Sequence, residues 1–252
     1  MKHLMVVGLF FLLTLSGCKP KDQKKLTIAA AANVRFAMVE LLDKFQEETG
    51  IDAEIIISSS GKLTAQIMQG APYDVFVSAD MKYPSELFEN GLTSTVPEIY
   101  AQGALVLWTS GATMEPSLEL LLKENIKKIA IANPRTAPYG KAAIETLIYH
   151  DIYDKVKHKL VFGESISQTS QFILSGSADI GITAKSVVVS GQMSNNGKWV
   201  EIPQPSYSHI KQGVVILKKE GNYTKDAERF YNFLFSEKAK RILDKNGYKS
   251  GI

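Results

Sequence analysis

The period of the hydrophobic positions changes along the chain in a regular order. Leu26-Thr-Ile-Ala-Ala is a short apolar run of the kind that forms a buried strand. From Asn33 to Thr49 the spacing lengthens, with Val34, Ala37, Met38, Leu41, Leu42 and Phe45 recurring every three or four residues, which predicts a helix. Asn33 is a favoured N-cap residue and Gly50 a favoured C-cap residue for it. Asp52 to Ile57 predicts a second strand, Lys62 to Gln69 a short helix and Asp74 to Ser78 a third strand. The β-α-β-α-β order calls for a sheet with parallel strands covered by helices.

A second series repeats the order: strand from Lys128 to Ala132, helix from Gly140 to Tyr149, strand from Leu160 to Phe162, helix from Ser167 to Leu174, strand from Asp179 to Thr183. Gly70-Ala-Pro-Tyr-Asp74-Val-Phe-Val-Ser78-Ala79-Asp80 can be set against Ser175-Gly-Ser-Ala-Asp179-Ile-Gly-Ile-Thr183-Ala184-Lys185. The shared pattern is short, but it falls at the same place in each series and favours two lobes of similar topology. Strand-like runs at Ala104 to Trp108 and Gly213 to Leu217 bracket the second series, and Thr224 to Lys245 is helical in pattern, ending near Gly247. The expected fold is therefore α/β and two-lobed, a Venus-flytrap with a mixed, mostly parallel sheet in each lobe and crossing hinge strands. Residues 26–104 with 208–252 make lobe I, and residues 105–207 make lobe II. Ligands of such sheets lie at the carboxyl ends of strands, where helices begin.

The N-terminus adds a location. Leu4 to Leu15 is apolar apart from Gly8 and Thr14, follows Lys2 and His3, and is too short to span a bilayer, which suits a secretory signal. Leu15-Ser16-Gly17-Cys18 resembles a lipobox, so residues 1–17 are expected to be a lipoprotein signal peptide, Cys18 the lipidated anchor and residues 18–25 a polar tether. Cys18 is the only cysteine, which leaves no internal disulfide. With 29 basic and 26 acidic residues the net charge is +3, and the scattered lysines form no basic stripe for nucleic acid. The histidines, His3, His150, His158 and His209, lack metal-ligand spacing, there is no nucleophile elbow, and no catalytic constellation emerges. Neither an enzyme nor a bound cofactor is expected, and the chain is expected to be monomeric.

Four strand-to-helix turns would face a shared cleft: Ala30 to Asn33, Ser58 to Gly61, Ala137 to Gly140 and Glu164 to Ser167. Helix starts carry N–H groups without intrahelical acceptors and a partial positive charge, so they attract anions without a formal cation. Asn33 adds an amide donor and Ser60 a hydroxyl. Any one of these residues alone reads better as a plain N-cap; four together point to a small anion. Arg35, Lys62 and Lys141 lie just inside helix starts and read as solvated charges, as does Glu47-Glu48 at the end of its helix.

Five stretches then carry a specific resemblance: Ala29 to Asn33, Ser58 to Ile67, Gly70 to Asp80, Ala132 to Gly140 and Ser177 to Ile182. In order and spacing they are similar to the molybdate-binding proteins of ABC importers, which have the type II periplasmic binding fold, over almost the whole length after the signal. The resemblance implies capture of molybdate or tungstate for an ABC permease and ATPase. It places the oxyanion on side-chain and backbone donors of Asn33 and Ser60 and on backbone N–H groups of Tyr139 and Ile166, with the Tyr139 hydroxyl as an extra donor. Some members carry a ligand-binding tyrosine where this chain has Ala184, and Tyr139 is the candidate to replace it. Donors without carboxylates accept a fully ionised oxyanion and penalise a protonated one, whose hydrogen would lack an acceptor. Sulfate or thiosulfate remains an alternative ligand, and a ligand-gated partner of a membrane signalling protein an alternative role.

Overall fold

A computed structural model describes residues 25–111, 114–190, 196–219 and 225–251. The signal, most of the tether and Cys18 lie outside the described residues, as does Thr224 at the start of the expected C-terminal helical stretch.

The chain begins with β1 (Leu26–Ala31), α1 (Arg35–Thr49), β2 (Ala53–Ser58), α2 (Ser60–Met68), β3 (Val75–Val77), α3 (Lys82–Glu89) and β4 (Glu98–Gly103). It continues through β5 (Leu105–Thr109), β6 (Ile129–Ala132), α4 (Pro138–Tyr149), α5 (Tyr153–Val156), β7 (Leu160–Gly163), α6 (Ile166–Leu174), β8 (Ile180–Ala184), α7 (Lys185–Val188) and β9 (Lys198–Glu201). It closes with β10 (Ile210–Ile216), α8 (Lys225–Leu234) and α9 (Glu237–Lys245).

Two five-stranded sheets result, ordered β2-β1-β3-β10-β4 and β7-β6-β8-β5-β9. In the first, β1 runs parallel to β2 and β3 while β10 is antiparallel to β3 and β4. In the second, β6 is parallel to β7 and β8 while β5 is antiparallel to β8 and β9. Four of the five strands in each sheet thus share a direction. The reversed strand is β10 in one sheet and β5 in the other, and each lies next to a crossing between the sheets. The chain passes over at Ala104, between β4 and β5, and returns between β9 and β10.

Strand chemistry explains the layering. In the first sheet Ile28, Ala30, Val75, Val77, Val214 and Ile216 face one apolar cluster, while the alternating Ala29, Phe76 and Val215 face another. Period-two alternation with both sets apolar is what a strand needs when helices cover both faces. Phe45 of α1 packs edge-on to Phe230 of α8 at 5.4 Å, which fixes the C-terminal helices on this lobe. Lobe II is built around Trp108, Ile129, Ile131, Leu147, Ile173 and Ile182. Ala31, Ala32 and Ala79, at strand ends of the first sheet, belong to that same buried cluster, so the two lobes meet there.

The helix starts differ from the sequence expectation by up to two residues. α2 opens at Ser60, α4 at Pro138 and α6 at Ile166, each earlier than expected. Pro138 sits at the first helical position, where its fixed φ fits and its missing N–H costs nothing. α1 does the opposite: Ala32 to Val34 forms a 3-10 turn and the helix begins at Arg35, so Asn33 is not an N-cap. Gly50 ends α1 with φ 69°, as its C-cap role requires.

Candidate functional site

The four residues singled out by sequence, Asn33, Ser60, Tyr139 and Ile166, line a single cavity. The other lining residues are Ala31, Ala32, Ser59, Ala79, Ala137 and Pro138, so both lobes contribute and no acidic or basic side chain is among them. The cavity has about 190 Å³ of space between atoms, its mouth included, which suits a compact ion and not an extended organic ligand.

Three of the four reach the cavity by local geometry. Ser60, Tyr139 and Ile166 occupy the first or second position of α2, α4 and α6, where N–H groups have no intrahelical acceptor. Their earlier helix starts place these residues inside the first turn and not on the loop before it. At α6 the start is well built: Ser165 Oγ accepts from Gln168 N, and Gln168 Oε1 accepts from Glu164 N at 2.7 Å. That arrangement fixes Ile166 beside the cavity.

The serines divide their work. Ser60 Oγ accepts a hydrogen bond from Ala79 N at 2.9 Å, which orients its own O–H as a donor. Ser59 holds the N-cap position of α2 yet makes no side-chain cap bond, and its Oγ is buried without a hydrogen-bond partner among the described residues. A cap serine whose hydroxyl neither caps nor pairs is costly to bury.

Asn33 and Tyr139 behave differently from expectation. Asn33 Nδ2 donates to Gln212 Oε1 and to Tyr248 Oη, both at 2.8 Å, which uses both amide hydrogens, and its 3.5 Å contact with Tyr139 Oη is longer. The Asn33 carbonyl accepts from Ser186 Oγ at 2.8 Å, a bond from lobe II to lobe I. The Tyr139 hydroxyl points away from a simple ligand-donor role. It lies within 3.5 Å of the Asn33 and Gln212 amides, and a methyl added to Gly103, at the end of β4, would lie 2.0 Å from it. Burial pushes the hydroxyls of Tyr139 and Tyr248 above their ordinary pKa, so both stay neutral. Ala184 is fully buried and offers no polar side chain.

Sequence reasoning missed Ser59, Ser186, Gln212 and Tyr248. Ser59 lies in the expected turn beside Ser60 but is not singled out there, whereas Ser186, Gln212 and Tyr248 look ordinary locally and are brought to Asn33, behind the cavity, only by the crossing of the chain and the C-terminal turn. The charges at the helix starts are peripheral. Arg35 lies 5.9 Å over the Phe36 ring and Lys141 pairs with Glu145. Lys62, read from sequence as a solvated charge, is exposed and pairs with the exposed Glu164 of the other lobe at 2.6 Å.

The closed seam continues outward: Gly61 N donates to Thr136 O at 2.9 Å and Tyr83 Oη to Arg135 O at 3.2 Å. Among the described residues, no group of His, Cys, Asp and Glu could hold a metal ion, and no helix is long and apolar enough to cross a membrane.

Residues 26–249 match the family model described as bacterial extracellular solute-binding protein. The chain is 36% identical to the molybdate-binding protein ModA of Rhodobacter capsulatus, over 91% of this chain and 90% of that protein. It is 28% identical to the ABC transporter substrate-binding lipoprotein YvgL of Bacillus subtilis, over 97% and 96% of the two chains. Among solved structures, the periplasmic molybdate-binding protein of Azotobacter vinelandii superposes with a TM-score of 0.85 at 31% identity, covering 90% of this chain and all of the other.

Proposed function

Because the chain belongs to the bacterial extracellular solute-binding protein family, we propose that it captures molybdate or tungstate between its lobes and hands it to an ABC importer. The single observation that carries this reading is the convergence of helix starts from both lobes on one small cavity without a charged side chain. Neutral donors at helix N-termini stabilise a dianion, and the lack of a carboxylate acceptor disfavours an oxyanion that carries a proton. Ser60, Tyr139 and Ile166 offer backbone N–H groups and Ser60 its hydroxyl. Asn33 enters through its backbone, its amide being committed to Gln212 and Tyr248. A ligand oxygen would give Ser59 the partner it lacks. The ModA proteins support molybdate as the ligand.

In this reading residues 26–104 and 208–252 move as one lobe against residues 105–207, and release to the permease follows opening. Cys18 anchors the protein outside the cytoplasm through lipid, a role supported by the Bacillus subtilis lipoprotein among the relatives. Cys18→Ser should leave the membrane fraction; retention there with unchanged processing would end the anchor proposal.

Calorimetry of the purified chain with molybdate, tungstate, sulfate, thiosulfate and phosphate tests the ligand. Tight binding of the first two with weak binding of the rest is expected. Sulfate binding as tightly as molybdate would overturn the assignment.

A further inference from the structure

The C-terminal turn brings a tyrosine to the centre of the molecule. After α9, Gly247 takes φ 79°, and Tyr248 N donates back to Leu243 O at 3.1 Å. Lys249 then exchanges two backbone hydrogen bonds with Gln102, at 2.8 and 2.9 Å, one residue before β4 ends at the crossing. This pins Tyr248 to the first lobe beside the hinge. The same turn also touches lobe II: a methyl added to Gly247 would lie 3.0 Å from Val189 Cγ2 and 3.2 Å from Lys185 Cγ.

Tyr248 Oη accepts from Asn33 Nδ2 at 2.8 Å, and the same amide nitrogen lies 3.5 Å from the hydroxyl of Tyr139, which belongs to lobe II. Ser186 Oγ in turn donates to the Asn33 carbonyl at 2.8 Å. Asn33, Gln212 and Tyr248 come from the first lobe, Tyr139 and Ser186 from lobe II. The network is complete only when the lobes are together. It lies immediately behind two of the cavity's donors, Asn33 and Tyr139.

We propose that Tyr248 is a positioning residue for oxyanion capture, its hydroxyl holding the Asn33 amide so that Asn33, which meets Ser186 and Tyr139 of the other lobe, keeps the donors from both lobes around the cavity in the closed protein. This rests on the reading of the cavity as the oxyanion site. In the open protein the same groups can be hydrated, so the hydroxyl contributes to holding the ligand and not to folding the empty chain. Interactions made after closure slow release more than they speed encounter.

The test compares Tyr248→Phe, which keeps the buried ring and deletes one hydroxyl, with wild type and with Tyr100→Phe. Tyr100 is a buried first-lobe tyrosine whose hydroxyl has no partner among the described residues. Tyr248→Phe should weaken molybdate binding about tenfold, the size of one ordinary hydrogen bond. The loss should appear as faster release in stopped-flow, with the association rate and the melting temperature of the ligand-free protein unchanged. Tyr100→Phe should leave the affinity unchanged. In an Asn33→Ser background, where the amide is gone, the effect of Tyr248→Phe should largely vanish. Affinity of Tyr248→Phe within twofold of wild type overturns the role of Tyr248 alone. So does a loss matched by a lowered ligand-free melting temperature. A wild-type protein that binds no oxyanion overturns the site reading and this proposal with it.

Discussion

Gly61 in α2 donates its N–H to the carbonyl of Thr136, at 2.9 Å, from one lobe to the other. There is no room for a side chain at that point. An added methyl would lie 2.7 Å from Tyr83 Oη and 3.0 Å from Thr136 Cα, and the second of these is backbone. Thr136 belongs to the opposite lobe, so that obstruction exists only in the closed protein. Gly61→Ala should therefore keep or slightly raise the ligand-free melting temperature, since alanine favours a helix by up to about 1 kcal/mol. Overpacking of about 1–3 kcal/mol on closure should weaken molybdate binding by roughly ten- to a hundredfold. Unchanged affinity in calorimetry would mean that the seam is not closed around the ligand.

The two serines before Gly61 should respond in opposite senses when the protein is empty. Ser60→Ala removes the acceptor of Ala79 N and, in the proposed site, a donor to the oxyanion. It should cost about 1 kcal/mol of ligand-free stability and, beyond that, on the order of 1.5–3 kcal/mol of binding. Ser59→Ala removes a buried hydroxyl that has no partner, so the empty protein should be no less stable, and affinity should fall. Denaturant melts paired with titrations separate the two effects. If Ser59→Ala destabilises the empty protein and leaves affinity alone, its hydroxyl is satisfied within the fold and takes no part in binding.

Much of this architecture is legible in the sequence because strands and helices that bury opposite faces impose different periods. Val75 and Val77 alternate with Phe76 in a way only a two-sided strand can use. The repeated Asp-apolar-any-apolar pattern also has a physical meaning that sequence alone did not reveal. Asp74 Oδ2 accepts from Thr27 N and Asp179 Oδ2 accepts from Lys127 N and Lys128 N, each at 2.8 Å. In both lobes the aspartate before the third strand of the series caps the start of the first. The site was legible only in part. Helix-start chemistry is local, so the sequence could bring Ser60, Tyr139 and Ile166 to one cavity, whereas the partners of Asn33 come from residues 179 and 215 positions away. A favoured cap residue drawn into a distant network cannot be told from a true cap by its neighbours in sequence.

The paired aspartates should nonetheless differ in weight. Asp74 is 3% exposed and also pairs with Lys219, whose side chain is 16% exposed. Asp74→Ala leaves a largely buried ammonium without its partner and should cost about 3–5 kcal/mol. Asp179 sits nearer solvent and its substitution by alanine should cost about 1–2 kcal/mol, the loss of a capping acceptor. Urea melts of both variants decide the order. Equal losses would mean that the Lys219 pair adds nothing to the first lobe.

Binding should be nearly independent of pH around neutrality, and the reason lies in what surrounds the cavity. Its donors are backbone N–H groups and hydroxyls, and burial holds Tyr139 and Tyr248 in their neutral forms, above the ordinary tyrosine range. From about pH 7 to pH 9, where the ligand is a dianion and no ordinary carboxylate titrates, molybdate affinity should be flat. Asp80 is an acid next to the lining residue Ala79, and burial raises its pKa against the opposing help of Tyr83 N, Ser78 and nearby lysines. A carboxyl whose folded pKa exceeds its unfolded value costs stability once it is ionised, and that cost is relieved as pH falls through the folded value. Asp80→Asn should therefore stabilise the protein at neutral pH, with the gain shrinking as pH falls. It should also strengthen binding modestly by removing a negative charge near the dianion. A one-proton slope of affinity between about pH 7 and pH 9 that persists in Asp80→Asn would place a titrating group in the cavity and refute a site of neutral donors.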